Sequence, residues 1–299
     1  MKHILLLLLG LLLLQVLAAQ PIRARLGWLP PQEAQLDSQT FLLQARPHLW
    51  WNGFAGLQPG VAIEGGRPGH TLALLLSYNS GLMTVPSPDS VLWRFADSFP
   101  RFNYALRYEV PLPLSGGQWQ AHLESAFRDG LHRHGAWLAV QGVQGPNKRA
   151  EHRFAAGYRY LNRPRNASRD YLLTPDLWTT GRSQAYFWAA YRWHVTTEKK
   201  TQHQLSLNLR ATGPGSQASY SWLEGSWLST GRWRGFDLRG RAFARYGSGL
   251  PPVESRLYLA GASPEEMWTE PLLRARGWVP ATWLESDRGR QPYHLHYGG

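Results

Sequence analysis

The sequence predicts an all-β protein with antiparallel, up-and-down strands, and three observations lead to this prediction. Apolar and polar side chains alternate with a period of two over segments of about ten residues. Between Arg101 and Leu112, for example, Phe102, Tyr104, Leu106 and Tyr108 fall on one face and Asn103, Arg107 and Glu109 on the other. Turn-forming residues separate these segments. Aromatic residues make up 13% of the chain, with 15 Trp and 13 Tyr, and they concentrate near segment ends.

The alternation predicts about twelve strands, joined mostly as hairpins in a meander. The predicted strands are residues 40 to 49, 55 to 64, 70 to 79, 101 to 112, 118 to 127, 133 to 143, 152 to 161, 184 to 195, 203 to 212, 217 to 229, 233 to 246 and 254 to 260. The predicted turns are Trp51-Asn52-Gly53, Ser115-Gly116-Gly117, Asp129-Gly130, Gly145-Pro146-Asn147, Gly213-Pro214-Gly215 and Thr230-Gly231.

Two predicted connections are much longer than the others, from about Ser80 to Pro100 and from Asn162 to Arg182. Their Pro and Asp content, and the Arg163-Pro164-Arg165 run, favour loops without further strands. If the strands alternate in direction, both loops lie at the same end of the sheet. In an outer-membrane barrel the long loops are extracellular, which would place the N-terminus on the periplasmic side.

The N-terminus has the pattern of an export signal. Residues 1 to 19 have a basic start, a leucine-rich run and a small-residue cleavage site, which is typical of a removable signal peptide. We expect residues 20 to 39 to be a lead-in segment, residues 40 to 260 to hold the strands, and residues 261 to 299 to form a long loop or plug. No second apolar run is long enough to span a bilayer as a helix. The sequence therefore predicts an outer-membrane β-barrel of a Gram-negative bacterium, in contact with outer-membrane lipid.

The basic character of the chain requires a separate explanation. The formal net charge is +12, but the basic residues are spread at one or two per strand, so a nucleic-acid partner is not expected. In a barrel these polar-face residues would face the lumen or lie at the rim near anionic headgroups. The lumen-facing candidates are Arg107, Glu124, Arg192, Arg210, Arg239 and Arg241. Two interpretations stay open: a cationic lumen that favours anions, or solvated charges paired with carboxylates such as Glu124 and Asp237.

Catalytic and metal motifs are weak. The chain has no His-Glu-x-x-His, no Gly-x-Ser-x-Gly and no phosphate-binding glycine loop, so no enzyme and no cofactor are predicted. His132 with His134, and His294 with His296, have a spacing that could chelate a metal, but no third ligand is indicated and no metal site is predicted. Ser206, His194 and Glu224 share the polar parity, although spacing alone does not make them a catalytic triad.

A late segment carries a family resemblance. Leu259-Ala260-Gly261 ends a short strand and leads into a long mixed segment that finishes at Gly298-Gly299. This arrangement resembles the barrel of the bacterial surface antigen family, in which a late strand ends in a Leu-Gly-Gly-like turn before a long outer loop whose tip bears an Arg-Gly-aromatic motif. The early segment from Pro47 to Gly60 is similar to the first hairpin of barrels fused to periplasmic aminopeptidases. The resemblance implies family-motif residues at Leu259, Ala260, Gly261, Gly298 and Gly299, and a chain that lacks its last strands.

The resemblance also implies a function. Barrels of this family act in protein insertion or secretion across the outer membrane, with client outer-membrane or secreted proteins as partners. A passive, anion-biased pore for small solutes is the alternative that the charge pattern leaves open. A secreted, soluble β-protein that binds polysaccharide through exposed Trp is a further alternative.

Overall fold

The computed structural model describes residues 22–26, 40–52, 56–86, 91–95, 101–128, 130–144, 150–164, 182–197 and 201–252. In these ranges the regular structure is entirely β-strand. None of the described residues forms a helix with the length and apolar character needed to cross a bilayer. The strands are β1 Ile22–Leu26, β2 Phe41–Asn52, β3 Gly56–Arg67, β4 His70–Tyr78, β5 Leu82–Pro86, β6 Val91–Phe95, β7 Phe102–Leu112, β8 Gln118–Arg128, β9 Leu131–Gln144, β10 Ala150–Arg163, β11 Arg182–Thr196, β12 Gln202–Thr212, β13 Tyr220–Trp233 and β14 Phe236–Gly249.

One sheet contains twelve of these strands, in the order β1-β2-β3-β4-β7-β8-β9-β10-β11-β12-β13-β14. From β2 onwards every neighbouring pair is antiparallel, so the up-and-down meander predicted from the sequence is confirmed. Within the described ranges no pairing joins β14 to β1 or β2, and the sheet is open along these two edges.

Eleven of the predicted strands are present at nearly the predicted positions. The twelfth, residues 254 to 260, lies outside the described residues. The same holds for the predicted signal peptide at residues 1 to 19, for residues 261 to 299, and for the family-motif residues Leu259, Ala260, Gly261, Gly298 and Gly299.

Two local predictions were wrong, and one strand was not predicted. Residues 80 to 100 were expected to be loop only, but β5 and β6 pair there as a separate hairpin, because two short runs of β-forming residues flank Ser87-Pro88-Asp89-Ser90. The lead-in segment contains β1. This strand pairs in parallel with β2, and no local pattern in the sequence indicates that pairing. The turn expected at Thr230-Gly231 lies at Arg234-Gly235 instead, where both residues have positive φ (48° and 89°) as a two-residue type I′ hairpin requires.

The register divides the sheet into two faces, because directly opposed residues project to the same side. We call one the polar face. Along one row it carries Ala73, Arg107, Glu124, Gly135, Arg159, Tyr186 and Thr212 on successive strands. We call the other the apolar face. One of its rows reads Val110, Ala121, Leu138, Ala156, Ala189, Leu209, Leu223 and Tyr246.

Exposure on the two faces is the reverse of that in a water-soluble sheet. On the apolar face Leu49 is 68% exposed, Phe102 70% and Leu223 53%. On the polar face Gln44, Asn103 and Arg133 are buried. An exception on the apolar face is a small cluster around Phe41, Leu72 and Tyr108, which are buried against one another and against Leu43, Leu106, Val110 and Leu123. Several polar and charged side chains are therefore enclosed, while large apolar side chains are left uncovered.

The two long connections lie at one end of the sheet, as the alternation predicted. Strands β4 and β7 are joined there through β5 and β6, and β10 and β11 are joined there as well. We call this the loop end. The opposite end of the strands, which we call the turn end, carries the β7–β8 turn after Leu112 and the Arg234-Gly235 turn.

Candidate functional site

A cavity opens on the polar face between the first strands of the meander. Its volume is about 240 Å3, and residues of five strands, β2, β3, β4, β7 and β8, line it. Its charged and polar lining consists of Arg46, His48, Glu64, Arg107 and Glu124, and Ala62, Ala73, Ala105 and Ala126 leave space between them. Five neighbouring strands can share one small cavity only if the sheet bends around it, so the polar face is concave.

Glu124 is the centre of the main ion-pair cluster. It is buried, with Oε1 3.1 Å from Nε of Arg133 and Oε2 3.7 Å from Nη2 of Arg159. Arg159 lies two strands away, and Gly135 stands between it and Glu124 in the register. Because glycine has no side chain, Arg159 can reach across β9 to the carboxylate.

Aromatic side chains also contact the guanidinium group of Arg159. Its guanidinium carbon lies 6.0 Å from the ring centroid of Trp137 and 5.8 Å from that of Trp188, and its Nη1 donates to Oη of Tyr186 at 3.4 Å. Such contacts add cation–π stabilisation to the ion pair. The guanidinium is consequently held by a carboxylate, a phenol and two indoles.

A second cluster surrounds Glu224 on β13. Nε of Arg245 donates to Oε2 of Glu224 at 2.9 Å, and Nδ2 of Asn208 donates to Oε1 at 3.1 Å. Arg245 also lies over the ring of Trp222 at 4.2 Å, while Arg210 lies over Tyr186 at 4.5 Å and over Trp222 at 5.2 Å.

A third pair joins Arg46 and Glu64, with Nη2 2.7 Å from Oε1. Each of these three carboxylates lies in the interior of its strand and engages at least one guanidinium. The middle of the polar face is therefore a region of neutralised charge.

All six predicted lumen-facing residues share the polar face, but their surroundings differ. Arg107 is directly opposite Glu124, and Arg210 lies over aromatic rings. Arg192 is directly opposite another arginine, Arg153. Arg239 and Arg241 project from β14, where both are exposed. Asp237, predicted as a pairing partner, lies 3.9 Å from Arg232 in a largely exposed pair.

Other members of the clusters were not predicted. Arg46, Glu64, Arg133 and Arg245 have the same strand parity as the predicted residues, so the alternation of their strands could have identified them. Their partners depend on the register between strands, which a single strand's pattern does not contain.

A buried amide cluster closes the polar face at the loop end. Oδ1 of Asn79 accepts from Nε2 of Gln58 at 2.8 Å and from Nδ2 of Asn103 at 2.9 Å. Next to it, Nη1 of Arg101 donates to the carbonyl of Ser80 at 2.6 Å. These bonds fasten both ends of the β4–β7 connection to the sheet.

The histidine pair on β9 lies on the apolar face. His132 packs on Phe127 at 4.4 Å between ring centroids, and Nδ1 of His134 lies 3.0 Å from Oγ of Ser125. Among the described residues no three His, Asp or Glu side chains come together as metal ligands would. His294 and His296 lie outside the described residues.

Ser206, His194 and Glu224 share the polar face but do not form a catalytic arrangement. Oγ of Ser206 accepts from Nε2 of Gln204 at 3.4 Å, and Glu224 is bound by Arg245 and Asn208. His194 is opposite Glu151 and Gln204 in the register.

Comparison with known proteins adds no family. A scan against models of known protein families finds no match, and a search of curated proteins finds no significant relative.

Proposed function

We propose that this chain forms the wall of a β-barrel in the outer membrane of a Gram-negative bacterium, with the apolar face against lipid. One observation carries the proposal: large apolar side chains are exposed on nearly every strand of the meander, while arginine and glutamate side chains line the cavity of the polar face. Exposed apolar surface of this extent is costly in water and favourable in hydrocarbon.

Strand length supports the same proposal. The meander strands contain from 9 to 15 residues, and at about 3.4 Å per residue an 11-residue strand is roughly 37 Å long. A tilt of about 40° reduces this to roughly 28 Å, close to the thickness of the hydrocarbon core.

Aromatic residues on the apolar face lie toward both strand ends. Tyr78, Phe102 and Phe187 lie toward the loop end, and Trp119 and Trp193 toward the turn end. Aliphatic residues such as Leu207 and Leu209 occupy the middle of β12. Two aromatic belts around an aliphatic band are typical of outer-membrane strands.

Of the activities that the sequence predicts, the polar face favours passage of small anions. Arginines on this face outnumber carboxylates, and Arg153, Arg192, Arg239 and Arg241, toward the turn end, have no ion pair with another described residue. Protein insertion or secretion stays a proposal that rests on the surface-antigen resemblance, whose motif residues lie outside the described part of the chain.

Two adjacent residues of β12 test the membrane proposal. Leu207 is on the apolar face, and Asn208 is on the polar face opposite Glu224. We expect Leu207→Arg to make the free energy of folding into liposomes less favourable by about 2 to 4 kcal/mol, because a charge in the middle of the lipid face is costly. Asn208→Arg is the control, since an arginine there can pair with Glu224. Equal folding of the two variants would contradict the assignment of the faces.

Conductance separates the two activities. In planar bilayers under a KCl gradient, an anion-biased pore gives a reversal potential of the sign expected for chloride. A chain that inserts but conducts nothing, and that accelerates the folding of a reporter outer-membrane protein, would support the insertion activity instead.

A further inference from the structure

We propose that Arg153 and Arg192 form a binding site for a small oxyanion of the phosphate type, at the turn-end side of the polar face. The inference rests on the proposed function, because it identifies the site that gives the interior its preference for anions. The two residues lie on neighbouring strands, β10 and β11, and are directly opposite each other in the register.

Two like charges at opposed positions of an antiparallel pair are ordinarily destabilising. Here no hydrogen bond or ion pair with another described residue offsets the repulsion between Arg153 and Arg192. Both side chains are exposed. This contrasts with Arg133, Arg159 and Arg245, each of which is held by a carboxylate. A bound anion would supply the missing counter-charge.

The surrounding charges leave this position positive. The nearest carboxylate in the register is Glu151, two residues along β10, and its Oε1 accepts from Nε2 of Gln141 at 2.8 Å. The next is Glu224, two strands from Arg192, which is already bound by Arg245 and Asn208. Arg239 and Arg241 project from β14, three strands away from Arg192.

The neighbouring residues favour a small, tetrahedral ligand. The next row toward the middle of the sheet is Ala139, Ala155 and Ala190, which leaves space beside the guanidinium groups. On the two strands that flank this pair, β9 and β12, Gln141 is opposite Arg153 and Ser206 is opposite Arg192. Opposed Cα atoms are about 5 Å apart, so two planar guanidinium forks can converge on one anion, with the hydroxyl of Ser206 on the adjacent strand.

Inorganic phosphate is the probe for the test. The refolded full chain in a zwitterionic detergent is titrated with phosphate and followed by calorimetry and by phosphorus NMR. We expect one saturable site whose affinity falls at least about tenfold in the Arg153→Gln/Arg192→Gln variant, because charge-assisted bonds to the anion are lost. The matched control is Arg239→Gln/Arg241→Gln, which removes the same charge from the same face and should change the affinity less than about threefold.

The alternatives give different results. If both double variants lost the same phosphate affinity, the binding would come from the overall positive charge of the face, and the site would be overturned. The absence of saturable phosphate binding in the unchanged chain would also overturn it. Competition by phosphatidic acid added to the micelle would overturn the assignment to a soluble anion. Heat-modified migration on gels checks that each variant is folded. Failure of all proteins to insert into liposomes, with phosphate binding retained in detergent, would contradict the membrane function and leave the anion site standing.

Discussion

Position 157 shows how a single residue shapes the polar face. A Cβ atom added to Gly157 would lie 2.3 Å from the carbonyl oxygen of Ala136 and 2.3 Å from Cβ of Trp137. The rings of Trp137 and Trp188, whose centroids are 6.1 Å apart, close over this gap and support Arg159. Glycine at position 157 therefore allows Trp137 and Trp188 to pack beside Arg159, two residues away.

We expect Gly157→Ala to lower the free energy of unfolding by roughly 1 to 3 kcal/mol, because the backbone and Trp137 must shift to admit the methyl group. Gly142→Ala is the control, since a Cβ there meets nothing within 4 Å. Urea unfolding of the refolded chain in liposomes, followed by tryptophan fluorescence, measures both. A Gly157→Ala variant as stable as Gly142→Ala would contradict the close packing at this position.

Glu124 is the second residue whose replacement is informative. Glu124→Gln would leave Arg133 and Arg159 without their carboxylate, and their side chains are only 9% and 15% exposed. We expect a loss of about 3 kcal/mol in unfolding free energy, because a charge stays enclosed without its partner. Asp237→Asn, in a pair that is largely exposed, should have little effect. The same urea titration measures both variants. Equal unfolding midpoints would show that water screens the Glu124 cluster as fully as it screens the Asp237 pair.

At the scale of residues, alternation in the sequence indicates the face of a side chain but not its partners. Alternation along β8 is enough to place Glu124 on the polar side. Its contact with Arg159 needs the β8–β9 and β9–β10 registers together, and it also needs Gly135 between them.

At the scale of elements, the β13–β14 hairpin shows which turn signal dominates. Gly231 remains inside β13, and the chain reverses at Arg234 and Gly235, with Trp233 opposite Phe236. A type I′ turn requires positive φ at both central residues, and Arg234 is the one non-glycine residue with positive φ among those described. The sequence indicated a turn at Thr230-Gly231, but the pairing of β13 with β14 continues past these residues to Trp233 and Phe236.

We expect Arg234→Asn to raise the stability of the chain by about 1 kcal/mol, because asparagine tolerates the left-handed conformation better than arginine does. Gly235→Ala, at φ 89°, should act in the opposite direction. The unfolding midpoints of the two variants measure the effect, and a destabilising Arg234→Asn would rule out the type I′ geometry.

The elements that sequence analysis missed share a physical cause. Strands β1, β5 and β6 each contain 5 residues, which is too short for alternation to be distinguished from chance. The longer strands repeat the pattern often enough to be recognised, so the meander was predictable while its edge strand and its accessory hairpin were not.

At the scale of the whole molecule, the two ends of the sheet differ. Both long connections are at the loop end, and short turns such as Arg234-Gly235 are at the turn end. In outer-membrane barrels long connections face the medium and short ones face the periplasm.

We therefore expect an epitope inserted between residues 164 and 181 to bind antibody on intact cells. The same epitope inserted between Arg234 and Gly235 should bind only after the outer membrane is permeabilised. Flow cytometry before and after permeabilisation measures both insertions. The reverse pattern would invert the topology.

Strand direction at the two open edges has a consequence for any ring that this sheet forms. Because β1 is parallel to β2, and β14 is separated from β2 by an even number of antiparallel steps, β1, β2 and β14 all run the same way. A ring closed by these strands alone would contain a parallel seam, with slanted and slightly weaker hydrogen bonds. One more strand of opposite direction, as predicted for residues 254 to 260, would make the seam antiparallel. A parallel seam would be among the weakest pairings of such a cylinder, and it would separate under a smaller load than the antiparallel pairs.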